Sequence, residues 1–139
     1  MTAKELLEYE MNQAGRQIEV CLDGMSEAGL DTKCTPMGMT PREMLEHLSD
    51  AYEAYLTQLK GEKYDFGSFL IEDKSTENMK TVFKGQREKA VSAALEGDDD
   101  KAIRSAYDYL VGHDCYHVSQ FVFCRLQAEP DWDSYAIYS

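Results

Sequence analysis

Three histidines occur in the 139 residues, and two of them, His113 and His117, stand four positions apart in the stretch GHDCYHVSQ (112–120). Residues i and i+4 of a helix differ by about 40° in azimuth and about 6 Å in height. Two imidazoles in that register can converge on one ion about 2.0–2.1 Å from each nitrogen. The third, His47, falls in the series Met44, His47, Ala51, Ala54, whose alanines leave room in front of it. If the two helices concerned pack side by side, His47 completes a three-nitrogen metal site. Three protein ligands leave one or more positions for water or substrate, the arrangement of catalytic rather than structural sites.

An H-x-x-x-H pair also occurs without metal, as a hydrogen-bonded core or surface pair. A metal-free bundle with structural histidines therefore stays open as a reading. What favours metal is the location. Both histidines lie on the stripe Ile103, Ala106, Leu110, His113, His117, Gln120, Cys124, whose steps of three and four residues mark a helix seam. Neutral imidazoles there need partners for all their ring nitrogens, and a metal satisfies three at once. Gln120, one turn beyond His117, can orient an imidazole or bond a metal-held water. Asp50, one turn beyond His47, can do the same or belong to a solvated helix face.

Other chemistries fit less well. HDCYH differs from the zincin H-E-x-x-H by Asp114 in place of glutamate, and Phe123 stands where a metzincin's third histidine falls. A carboxylate-bridged di-iron bundle needs Glu-x-x-His motifs, and none occurs. The four cysteines, Cys21, Cys34, Cys115 and Cys124, form no C-x-x-C pair and read as free thiols. Cys115 lies about 200° around the helix from His113 and so off the ligand face.

The elements that must position these residues are helices. Apolar residues at helical spacing run from about 2 to 28, from 41 to about 60, from 75 to 96 and from 99 to 128. The second helix has the clearest start: in TPRE, Thr40 is the N-cap, Pro41 the first helical residue and Glu43 its N3 partner. Residues 62–74 form a long connection with Tyr64, Phe66, Phe69, Leu70 and Ile71. It is predicted to pack across the bundle and to let the third helix run parallel to the second. The Asp98–Asp100 run suits a helix N-terminus. The tail, with Trp132, Tyr135, Ile137 and Tyr138, is predicted to dock. The fold class is all-α, a four-helix bundle with a long crossover between helices two and three, in one domain spanning 1–139.

A net charge of −12, from 26 acidic and 14 basic residues without a Lys/Arg cluster along the chain, argues against nucleic acid and against anionic membrane surfaces. No apolar run reaches a membrane span, and the first residues lack a signal-peptide h-region. The expected location is cytoplasmic.

EHLSDAYEAYL in the second helix and GHDCYHVSQFVFCRL in the fourth together resemble the DinB/YfiT-like putative metalloenzymes. The resemblance implies a four-helix bundle with a crossover between helices two and three, and homodimers. It also implies a divalent metal, commonly zinc or nickel, held by His47, His113 and His117. Some relatives are transferases or isomerases dependent on low-molecular-weight thiols. The expected function is a metal site activating water or a thiol toward an unidentified small-molecule substrate, as hydrolase or thiol transferase. A non-catalytic metal-binding or interaction module is the alternative.

Overall fold

Thr2 opens the first helix, α1 (Ala3–Leu22), with a reciprocal cap. Its hydroxyl accepts from the Glu5 amide at 3.1 Å, and its own amide donates to the Glu5 carboxylate at 2.6 Å. The computed structural model describes residues 1–139, and the chain is all-α. A one-turn helix α2 (Glu27–Leu30) follows, then α3 (Pro41–Leu59), α4 (Thr76–Glu96), α5 (Asp100–Tyr107) and α6 (His113–Ala128). A π-helical turn, Asp108–Gly112, joins α5 to α6, and a 3₁₀ turn, Ser134–Tyr138, ends the chain. No helix is long and apolar enough to cross a membrane.

α3 lies along α4, and α1 lies along α6, while α3 and α6 meet at the histidines. The core takes Leu7, Met11 and Ile18 from α1, Leu45, Leu48 and Tyr52 from α3, Met79 and Phe83 from α4, and Leu110, Val118 and Phe121 from the last helical stretch. The start of α3 follows the expected capping box in part: Thr40 accepts from the Glu43 amide at 3.1 Å, with Pro41 in the first turn, but the Glu43 carboxylate accepts from the Thr40 hydroxyl at 3.2 Å and not from the Thr40 amide. Asp99 caps α5 by accepting from Ala102 at 2.8 Å.

The first helix is shorter than its apolar spacing predicts. Gly24 takes a φ of +68°, a left-handed conformation in which side chains are rare, and the chain turns there instead of continuing to residue 28. Arg125 reaches across from α6 and donates to Cys21 O at 2.9 Å and Asp23 O at 2.7 Å, satisfying carbonyls that the helix end exposes. Its guanidinium also lies 4.5 Å from the Trp132 ring centroid, which docks the tail together with buried Ile137. Tyr135 and Tyr138, expected to dock as well, are exposed. Arg125→Leu is expected to cost about 2–4 kcal/mol of unfolding free energy, since buried carbonyls lose charge-assisted donors. Urea denaturation tests this, and a loss under about 1 kcal/mol contradicts it.

The 62–74 connection is tied to α3 by two carboxylates. Asp50 accepts from Tyr64 Oη at 2.5 Å, Gly67 N at 2.9 Å and Phe69 N at 3.0 Å. Glu46 accepts from Ile71 N at 2.8 Å and pairs with Lys74. Ile71 is buried under this clamp, while Phe66 and Leu70 stay exposed.

Candidate metal centre

The π turn decides which side chains of α6 face where. The His113 amide bonds to Asp108 O, five residues back, so this turn holds one residue more than an α-turn. The helix beyond it is rotated relative to a continuous α-helix. Ala106, before the turn, and Leu110, within it, are fully buried, and after it the fully buried position falls to Asp114 rather than His113. His113 is half-buried, and His117 is buried, toward α3. The seam expected to run straight through 110, 113 and 117 is thus split in two.

The three histidines are brought together. His47 Nε2 lies 3.1 Å from His113 Nε2, which lies 3.0 Å from His117 Nε2. One ligand nitrogen from each falls within 4.8 Å of the others. Nitrogens about 2.0–2.1 Å from a common ion are themselves about 3 Å apart, so the three residues can hold a metal ion. Without an ion the cluster is over-subscribed. His117 Nδ1 sits 2.7 Å from Gln120 Oε1, an acceptor, so Nδ1 carries the proton and Nε2 presents a lone pair. His113 Nε2 has one proton or one lone pair, yet it meets two nitrogens. Its Nδ1 is buried and has no hydrogen-bond partner. This donor set could hold a cation, and it leaves one buried ring nitrogen unsatisfied.

Electrostatics point the same way. Burial holds the His47 imidazole below its usual pKa, with Asp50 opposing. Burial and the neighbouring His47 lower His113. His117 is lowered to about 4, by burial first and then by His113 and His47, with Gln120 opposing. All three are neutral ligands at pH 7. In the metal-free protein the sign of the linkage follows from the unfolded chain binding a proton near pH 6.5 and the folded one only near pH 4. Above pH 6.5 His117 is neutral in both states and adds no pH dependence, whereas acidification through that window destabilises the folded state, on the order of 2–3 kcal/mol. The stability gap between wild type and His117→Gln is therefore expected to move in the variant's favour between pH 7.5 and pH 4.5. Denaturation curves at the two pH values check this, and a pH-independent gap contradicts it.

Gln120 stands beside the site as its spacing suggests. Asp50 does not reach the imidazoles with a hydrogen bond, because the loop amides and Tyr64 take its oxygens, and it is buried rather than on a solvated face. Its charge still faces His47. Asp114, set aside on sequence grounds, is fully buried and accepts from Tyr52 Oη at 2.6 Å and Arg87 Nε at 2.9 Å. Arg87 Nη2 also donates to Met11 O at 2.7 Å and to Leu110 O, within the π turn, at 3.3 Å. This network anchors the start of α6 one residue from His113. Nothing in the sequence pattern reports it, because its members lie on three different helices. Exposed Tyr116 packs edge-on against His117, with centroids 5.0 Å apart. Cys115 is exposed and off the ligand face, and all four cysteines are free.

No protein-family model, curated protein or solved structure matches the chain.

Proposed function

We propose that the chain is a metal-dependent enzyme of the DinB/YfiT-like type, a four-helix bundle whose crossover connection is residues 62–74. His47, His113 and His117 hold a divalent ion, zinc or nickel. The observation that carries this is the convergence of three Nε2 atoms, where His113 Nε2 meets two nitrogens with a single proton or lone pair and His113 Nδ1 has no partner.

Such an ion supplies Lewis acidity, which lowers the pKa of a water or thiol bound beside the imidazoles. The chain's own residues do the rest. Gln120 fixes the His117 tautomer so that Nε2 faces inward. The Asp114–Arg87–Tyr52 network sets the rotation of α6, and so the direction of His113. Tyr116 covers one edge of His117. The substrate is a small molecule, taken as a hydrolase or a thiol transferase would take it, and the protein acts as a homodimer in the cytoplasm. Without turnover, the same site is a metal-binding module.

Elemental analysis of protein purified without a histidine tag is expected to find about one divalent ion per chain. Trace metal that does not change in a His113→Ala/His117→Ala variant overturns the site. Screening the loaded protein for hydrolysis and for thiol transfer separates enzyme from binding module. A strictly monomeric sedimentation result removes the dimer.

A further inference from the structure

A groove of about 740 Å³ lies between α1 and α4, away from the histidines, within the range of small-molecule sites. Its apolar lining comes from Val20, Leu22, Phe83 and Val91. Its polar lining is of both signs, four cations against the three carboxylates of Glu19, Asp23 and Glu88. Arg16, Lys80, Lys84 and Arg87 all border it, although the chain has only 14 basic residues against 26 acidic ones.

These cations are largely uncommitted. Arg16 and Lys84 make no ion pair, and Lys80 makes a single long contact, 3.4 Å to Leu22 O. Arg87 is held rigidly by Asp114, Met11 and Leu110 through Nε and Nη2, but Nη1 has no partner and is not among the buried orphan atoms. Its free N–H groups therefore have access to the groove. Gly15 makes this possible: a Cβ there would stand 2.5 Å from Arg87 Nη1, closer than real contacts allow. Glu19, Asp23 and Glu88 also border the groove and pair with none of the four cations, of which only Arg87 is ion-paired, to Asp114. They disfavour a ligand carrying several negative charges.

We propose that the α1/α4 groove is a second ligand site, distinct from the histidine cluster, for a monocarboxylate with an apolar body. The carboxylate sits among Arg87 Nη1, Arg16, Lys80 and Lys84, where charge-assisted hydrogen bonds give it orientation. The body covers Phe83 and its aliphatic neighbours, where burial of apolar area supplies the remaining affinity.

The probe is 4-phenylbutyrate, titrated into the full-length protein and followed by amide chemical shifts. The expected result is saturable binding with shifts confined to residues 12–23, at the end of α1 and its cap, and α4 residues 80–92. A Lys80→Gln/Lys84→Gln variant, altered only at half-exposed and exposed positions, is expected to bind at least about tenfold more weakly. Its dispersed amide spectrum is expected to stay unchanged, which separates lost binding from lost folding. Equal binding by 4-phenylbutanol overturns the role of the cations. Equal binding by inorganic phosphate overturns the role of the apolar floor. Shifts centred on His47, His113 and His117 instead of the groove, or no saturation at millimolar probe, overturn the site.

Discussion

Replacing Arg87 by Met is expected to lower unfolding free energy by about 3–5 kcal/mol, among the largest losses any single change in this chain can give. Methionine fills much of the space left by the arginine stem, so the loss is not mainly a cavity. It comes from the partner left behind. Asp114 has no exposed surface and, without Arg87, keeps only the Tyr52 hydroxyl as a donor. Met11 O and Leu110 O lose their guanidinium donor as well. The pH dependence identifies the cause. Burial already pushes the Asp114 carboxyl up to about 6 with Arg87 opposing, so removing Arg87 raises it further. A carboxyl raised above its unfolded value favours the folded state at low pH, and that advantage is lost as pH rises through the folded pKa. The Arg87→Met defect is therefore expected to be larger at pH 8 than at pH 5.5. Adding Asp114→Asn to Arg87→Met is expected to recover part of the loss, since no charge is then stranded. Urea denaturation of Arg87→Met, Asp114→Asn and the double variant at both pH values tests this, and additive, pH-independent losses contradict it.

The parts of this structure legible in the sequence are those set by local chemistry. Thr40 and Pro41 announce the start of α3 because a cap and a fixed φ act within one turn. Four long helical stretches show in the periodicity, and the register of His113 and His117 shows in their spacing. The pairing of His47 with them is readable because the chain has no other histidine to consider. What stays hidden depends on contacts between helices. The π turn has no compositional mark: DYLVG is an ordinary apolar helix segment, and only the structure shows that it holds an extra residue there. That residue sends Asp114 inward to an arginine 27 positions away in the chain. Asp50 reads as a solvated or ligand-supporting residue because its true partners are backbone amides of a distant loop, which no side-chain pattern reports. The α1/α4 groove is invisible for the same reason. Arg16 is twelve residues from the other basic residue of α1, Lys4, and it joins Lys80, Lys84 and Arg87 only when α1 and α4 come together.

Removing two of three imidazoles, in His113→Ala/His117→Ala, is expected to weaken zinc or nickel binding by more than about 100-fold, beyond the 10–100-fold typical of losing a supporting residue. Gln120→Ala is expected to fall within that lesser range, because His117 keeps its nitrogen but loses the hydrogen bond that fixes its tautomer. The decisive contrast lies in stability. With metal at 100 times its dissociation constant, wild type gains about 2.7 kcal/mol, and the double variant is expected to gain almost none. Without metal the order is expected to reverse or vanish. His113 Nε2 meets two nitrogens it cannot both complement, and its Nδ1 is orphaned, so truncation removes unmet polar groups along with packing. A structural, metal-free role for the cluster demands the opposite: a large loss in the apo protein and no metal-dependent gain in wild type. Thermal or urea unfolding of both proteins, with and without added metal, distinguishes the two. A small apo loss, and not the metal dependence alone, is the result that separates imidazoles converging to hold an ion from imidazoles holding α3 against α6.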